Sequence, residues 1–428
     1  MNSLNQEIIA GNGKINFAHI AWIAMFCSIL IWSISSTSTN TLGNTDNWYR
    51  IVLVIFSSFA GLWVLMRNAR NYHDVVTIPL FLLLLYGLVA LISSIYIPEH
   101  SFYSMWKALE IIIDVFLAVS IISYVRQNES AWLAYRLIIY IFCIMLLVYW
   151  IEAILLPKTG FVPSRGYLPF TMTGILPTYN GNSLAFLSAV VAFAFICRFF
   201  RLSQPGSKIK YLFIIGLALL TLILAQSRTS LVGFFVALMV YLFYDRRIML
   251  LLFFIMSGLV VSLFFAGFTD VFYQYFMRGQ SDELFLSLSG RTAAWVPAWE
   301  LFMESPILGH GFAAAARVNV LGVTGASTLH GSIFDVIVGV GVLGFIPWAM
   351  ALVLVSFRLI SLSHNNHAWF DTVVGRSMQA EMLGMLTLII IRSITSSGLA
   401  MHEHTFMLFL AVLMYVETMR NAIQRSDA

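Results

Sequence analysis

Charge is what this sequence has least of. Only 10% of its 428 residues are Asp, Glu, Lys or Arg, against about 25% in an ordinary soluble domain, which excludes a water-soluble enzyme. Cysteine is scarce too. Cys27, Cys143 and Cys197 stand singly inside apolar stretches, where they read as small buried hydrophobes rather than a disulfide frame or a metal set. No Walker loop or dinucleotide fingerprint occurs, and His402-Glu403-His404 lacks the HExxH spacing of a zinc helix. The formal net charge of +4 is too small to imply nucleic acid as a partner. What is abundant is apolar surface: 60% of residues are hydrophobic and 15% aromatic, with a mean hydropathy of +0.87. A disordered chain is excluded by the same figures. They leave an all-α, polytopic integral membrane protein.

A helix crossing a bilayer needs about 20 mostly apolar residues. Such stretches fall near 17–35, 50–66, 77–97, 107–125, 133–156, 182–199, 210–226, 230–244, 248–268, 331–357, 379–398 and 402–419, which predicts about twelve spans in a single membrane domain over residues 1–428. The first is read as an uncleaved span, being too long for a signal-peptide core. With both termini placed in the cytoplasm, lysines and arginines favour the inner side, the arrangement the positive-inside rule prefers. Asp245-Arg246-Arg247 and the cluster from Arg198 to Lys210 are the clearest inner markers. Two outer connections are long: Leu156 to Gly181, and Thr269 to His330. Connections of that length tend to be functional. Within the second, Trp295, Trp299 and Phe302 recur at helical spacing up to Pro306, which predicts a short helix lying at the outer membrane surface.

Charges at or inside a membrane are costly, so each is a candidate for function. Arg228, in Gln226-Ser227-Arg228-Thr229-Ser230, sits in a tight outer turn against the charge rule. Its planar fork suits a phosphate; snorkelling to lipid headgroups is the alternative. Arg291 begins the expected interfacial helix, where free N–H groups also attract anions; an exposed loop arginine is the alternative. His330 closes the long outer connection and opens the tenth span. Its ordinary pKa near 6.5 suits a general base, with a helix cap as the alternative. Glu110 and Asp114 share one face of the fourth span and are read as pairing with a neighbouring helix. Arg165 and Asn180, in the other long outer connection, complete the candidate substrate-binding residues.

Taken together, these positions resemble the bacterial O-antigen ligase and polysaccharide polymerase superfamily, over roughly Pro177 to Trp348. The resemblance rests on His330-Gly331 followed, after nine intervening residues, by Gly341-Val342-Leu343-Gly344. It is joined by the Ser-Arg-Thr turn at Arg228, Gly290-Arg291 with Trp295, Gly309-His310-Gly311, and the stretch Pro177 to Asn182. The chain departs from the family pattern at Gly331, where a polar residue is usual, and at Phe345. The resemblance implies a glycosyltransferase of the inner membrane, its active site facing the periplasm. The donor would be a glycan on undecaprenyl diphosphate, with Arg228 and Arg291 on the diphosphate and His330 as base. No metal or cofactor is implied. As a ligase it would pass the glycan to lipid A–core; the alternative is a polymerase passing it to another lipid-linked repeat. A lipid-linked glycan flippase or other transporter is the reading from another class.

Overall fold

The computed structural model describes residues 15–30, 48–67, 76–95, 101–124, 129–164, 168–201, 205–264, 266–277, 279–286, 291–313, 329, 331–363 and 372–426. The chain runs through α1 (Phe17–Cys27), α2 (Trp48–Arg67), α3 (Ile78–Ile95), α4 (Ser101–Tyr124) and α5 (Glu129–Leu155). After a helical turn at Pro157–Gly160 come β1 (Phe161–Pro163) and β2 (Phe170–Met172), then α6 (Gly181–Arg201), α7 (Pro205–Leu224), α8 (Arg228–Tyr244) and α9 (Ile248–Phe264). The remainder is α10 (Ala266–Met277), α11 (Asp282–Leu286), α12 (Arg291–Glu304), α13 (Ser332–Ser363), α14 (Val373–Ile394) and α15 (His404–Ser426). Each expected stretch overlaps a helix, though α1, α8 and α9 are short, at 11, 17 and 17 residues. Seven helices among the described residues are long and apolar enough to cross a membrane: α2, α3, most of α5, α6, α13, α14 and most of α15. The antiparallel pair β1–β2, in register Phe161 to Met172, is an addition the apolar pattern did not announce.

The faces of these helices explain why they are apolar all round. In α2, Val52, Ile55, Phe59, Trp63 and Met66 form an exposed stripe, whereas Val54, Ser57, Gly61 and Val64 are buried. A soluble monomer rarely leaves such a stripe open; hydrocarbon is its natural solvent. The chain is a multi-pass, all-α membrane protein.

The helices form two compact units. Unit 1 takes residues 1–138, 291–362 and 393–428; unit 2 takes 139–290 and 363–392. In unit 1, α4 packs on α2, α3 and α15, and buried polar groups lock these elements. The expected pairing of the α4 carboxylates is met by Asp114, whose Oδ2 accepts from His402 Nδ1 at 2.7 Å. Glu110 also meets a neighbouring helix, with Arg50 Nη2 of α2 4.0 Å from its Oε1, and accepts from Lys107 Nζ at 2.6 Å and Trp106 Nε1 at 2.7 Å on its own helix. Ser28 Oγ lies 3.0 Å from His402 Nε2. This Ser28–His402–Asp114 chain has the order of a nucleophile triad, but all three side chains are sealed in the core, so it fastens α1, α4 and the start of α15 rather than meeting substrate.

In unit 2, α6, α8 and α14 make the core. Phe193 and Tyr241 meet edge to face at 6.1 Å, and Tyr241 Oη contacts Ser377 Oγ at 2.9 Å. A Cβ on Gly384 would strike the Phe193 ring at 2.3 Å and the Ala237 carbonyl at 2.8 Å; one on Gly233 would strike Leu388 at 2.9 Å. These contacts set α14 antiparallel to α6 and α8. One end of the core therefore gathers the starts of α6 and α8 with the end of α14. The other gathers Arg198 to Arg201, Tyr241 to Arg247 and the start of α14.

Candidate functional site

Arg228 is the first residue of α8, at the first of those two ends. The turn that delivers it depends on Gln226, which adopts φ 51° and is buried. Gln226 Nε2 donates to the Phe170 carbonyl at 2.7 Å and to Thr171 Oγ1 at 3.2 Å, fixing the turn to β2. The Gln226 Oε1 atom is buried with no hydrogen-bond partner. Ser227 and Ser230 hydroxyls meet at 3.2 Å inside the first turn of α8. The Arg228 guanidinium donates to Gln280 Oε1 and, at 3.5 Å, to the Met277 carbonyl, and lies 5.1 Å over the Phe285 ring. The segment carrying these partners is tied back by Tyr275, whose hydroxyl donates to the Ile223 carbonyl at 3.0 Å. Tyr273 donates to Asp282 Oδ1 at 3.0 Å, and that hydrogen bond to a carboxylate holds the Tyr273 phenol above its usual range.

The same end includes the Pro177–Asn182 stretch. Asn180 is exposed and its Oδ1 accepts from Ser183 N at 2.8 Å, the geometry of an N-cap. Ile175 N and Leu176 N each donate to the Glu152 carboxylate at 3.0 Å, so a buried-side carboxylate orders the loop ahead of the cap. Gly181 lies tight against Ala225 and Thr171, which brings this stretch to the Arg228 turn. Sequence reasoning passed over one further residue. Arg392, near the end of α14, is 8% exposed and lies 5.8 Å over the Phe186 ring, one turn into α6. Nothing in its sequence surroundings separates it from the other arginines. Its burial among apolar helices singles it out.

Unit 1 holds Arg291 and the residues that flank His330. The expected interfacial helix is α12, with Arg291 as its half-buried first residue. Trp295 does the anchoring: its Nε1 donates to the Leu329 carbonyl at 2.9 Å, and its ring stacks on Phe334 at 4.9 Å. Ala294, Ala298 and Phe302 pack with Leu329, Ile337 and Val338. The α12 face carrying Ala294, Trp295, Ala298 and Phe302 is thus held to the start of α13, while Trp299, at its margin, is 52% exposed.

The Gly-x-x-Gly element has a physical reason. At Gly341, φ is 61° and ψ −166°, a conformation open essentially to glycine, and it splits α13 into two half-helices. The strap Pro306–Gly311 fills the break with main-chain hydrogen bonds. His310 N donates to the Val338 carbonyl at 2.8 Å and Gly311 N to the Gly339 carbonyl at 2.9 Å, while Val342 N donates to the Pro306 carbonyl at 2.8 Å. A Cβ on Gly341 would lie 2.3 Å from the Ile307 carbonyl oxygen, and one on Gly309 would lie 2.6 Å from Gly339. His310 itself turns inward, donating from Nε2 to the Leu301 carbonyl at 2.6 Å. That bond spends the ring on α12.

At Gly331, where the family pattern has a polar side chain, a Cβ would meet only ordinary contacts, the Ile394 carbonyl at 3.4 Å and Phe334 at 3.5 Å. Its neighbour Ser332 supplies polar anchoring instead, donating to the Ser396 carbonyl at 2.6 Å and accepting from Leu399 N at 3.2 Å. His330 and Arg165 lie outside the described residues. No group of three or more His, Cys, Asp or Glu side chains that could hold a metal occurs among the described residues.

Unit 1 carries a membrane helix broken at Gly341 and strapped by Pro306–Gly311, and Arg291 at a helix start; unit 2 carries Arg228 at another. The class is that of a polytopic membrane protein. Residues 211–349 match the family model described as O-antigen ligase, and the resemblance read from the motifs is borne out. No curated protein matches the chain. The match supports a ligase or polymerase type of enzyme, with lipid-linked glycans as its substrates.

Proposed function

We propose that the chain transfers a glycan from undecaprenyl diphosphate to a hydroxyl of lipid A–core, at the periplasmic face of the bacterial inner membrane. The observation that carries this reading is that Arg228, Arg291 and His330, chosen for their chemistry, all fall within the matched segment 211–349. The acceptor oxygen attacks the anomeric carbon from the face opposite the diphosphate, inverting that centre, and the bond between that carbon and the bridging phosphate oxygen breaks. The diphosphate leaves with the bonding electrons. Arg228 and Arg291 stabilise its growing charge, an effect worth about 10²–10³ in rate for one such donor. His330 takes the hydroxyl proton. Arg392 adds positive potential at the Arg228 end of unit 2. Since guanidinium groups provide the charge, the reaction is expected to be indifferent to EDTA.

Purified protein given a lipid-linked glycan and lipid A–core, with no energy source, should form a new glycosidic bond; a transporter would form none. His330→Ala should lower turnover by about 10²–10⁴ while donor affinity stays within a few-fold. A His330→Ala protein that turns over at the wild-type rate removes the base assignment. Deletion should leave polymer on the carrier and lipid A–core uncapped, whereas a single-repeat band on lipid A–core would reassign the enzyme as a polymerase.

A further inference from the structure

Unit 1 ties together the two groups that the transfer chemistry sets on opposite sides of the sugar. Arg291 begins α12, and Trp295 follows four residues later, about 6 Å along the axis and on the same side of the helix. The Trp295 Nε1 atom donates to the Leu329 carbonyl at 2.9 Å, the peptide group that leads into position 330. Beyond that position, a Cβ on Gly331 would stand 3.6 Å from the same nitrogen, and the indole stacks on Phe334 at 4.9 Å. One side chain therefore lies against the chain both before and after residue 330.

The local sequence needs such a hold. Gly331 has no side chain with which to orient its neighbour, and glycine has the greatest backbone freedom of any residue. Yet a general base must stand within about 3 Å of the oxygen whose proton it takes. Ser332 steadies the far side through Ser396 and Leu399, but neither partner belongs to an element that carries a donor-site group. The α12 helix does. Its body is fixed independently of the indole bond: Ala294, Ala298 and Phe302 pack with Leu329, Ile337 and Val338, and the Leu301 carbonyl accepts from His310 Nε2 at 2.6 Å. An inverting transfer places base and leaving group on opposite faces of one carbon, so their spacing has to be held to within about 0.5 Å.

We propose, resting on the transfer chemistry of the proposed function, that Trp295 is a positioning residue for glycan transfer. Through the Leu329 carbonyl it sets the base at position 330 in register with the diphosphate contact of Arg291. The indole takes no part in proton or bond transfer. Losing its N–H leaves the apolar packing of α12 intact, and with it the place of Arg291. What changes is the approach of the base, which is felt in turnover and not in donor affinity.

Single-turnover transfer by the purified full-length protein, from lipid-linked glycan to lipid A–core, tests this. Trp295→Phe keeps a ring on Phe334 and removes the N–H. It should lower the rate at saturating donor by about tenfold to a hundredfold, with the half-saturating donor concentration within a few-fold of wild type. Trp299→Phe, the same exchange one turn further along α12 at its exposed margin, should transfer at the wild-type rate. In a His330→Ala background Trp295→Phe should cost nothing more, since residues that act through one another are not additive. An equal fractional loss in both backgrounds overturns the proposal, as does an equal loss in Trp299→Phe or a Trp295→Phe loss confined to donor affinity. A fully active Trp295→Phe beside an impaired His330→Ala overturns this proposal alone. A wild-type rate for His330→Ala overturns the base assignment and the proposal with it. Should Trp295→Phe fail to fold, benzothienylalanine at position 295, which keeps the double ring and lacks only the N–H, is judged by the same outcomes.

Discussion

The two ends of the unit 2 core are both rich in arginine, yet they hold it differently. At one end, Arg201 meets Glu381, and Asp245 meets Arg247 and Arg376. At the other, Arg228 is gripped by a carboxamide oxygen, a main-chain carbonyl and a phenyl face. A carboxylate cancels the charge and locks the helices together. A carboxamide holds the side chain in place while leaving its charge in play, and it yields readily to a phosphate. On the proposed function, partner chemistry separates arginines that build the fold from those placed to meet the donor.

Breaking a lock should have the largest effect. Glu381→Leu strands the buried Arg201 charge, and removal of one member of a buried pair costs about 3–5 kcal/mol. We expect a markedly lower thermal midpoint but unchanged turnover per folded molecule; a midpoint equal to wild type would mean the pair is not structural. Arg228→Ala should do the reverse, with the thermal midpoint kept and transfer lowered by about 10²–10³. Arg228→Lys should recover little of it, because a point charge does not replace the fork. Near-normal transfer by the lysine variant would show that geometry is irrelevant there. Gln280→Ala removes only a holding contact of about 0.5–1.5 kcal/mol, so steady-state assays should register a change of less than about tenfold. A loss as deep as that of Arg228→Ala would make Gln280 part of the chemistry. Gly331→Ser should be the mildest, since the added atoms meet ordinary contacts. Transfer and thermal midpoint should both stay near wild type, and a large drop in either would show that glycine is required there.

Helix positions were legible in the sequence because hydrocarbon imposes a length of about 20 apolar residues, and seven helices among the described residues are long and apolar enough to cross a membrane. So was the helix at Arg291, from the spacing of Trp295, Trp299 and Phe302. The break at Gly341 was not. A glycine in an apolar run looks like any other until the strap Pro306–Gly311, distant in sequence, is seen to occupy it. Arg392 and Arg198 escaped for a related reason. Composition counts a charge, but only packing shows that Phe186 covers one and that Tyr140 and Phe195 clamp the other. The pairing of Asp114 with His402 spans 288 positions, beyond any local pattern.

The strapped break also turns the spacing of the histidine motif into a ruler. Gly341 is pinned from outside by main-chain bonds, so the half-helix from Ser332 to Val340 has a fixed foot. Each residue adds about 1.5 Å of height and about 100° of phase. One residue inserted between Ser332 and Val340 would lift the helix start by that step and swing it more than a quarter turn away from Trp295 and Ser396. Side chains along this stretch are free to vary within their packing; their number is not.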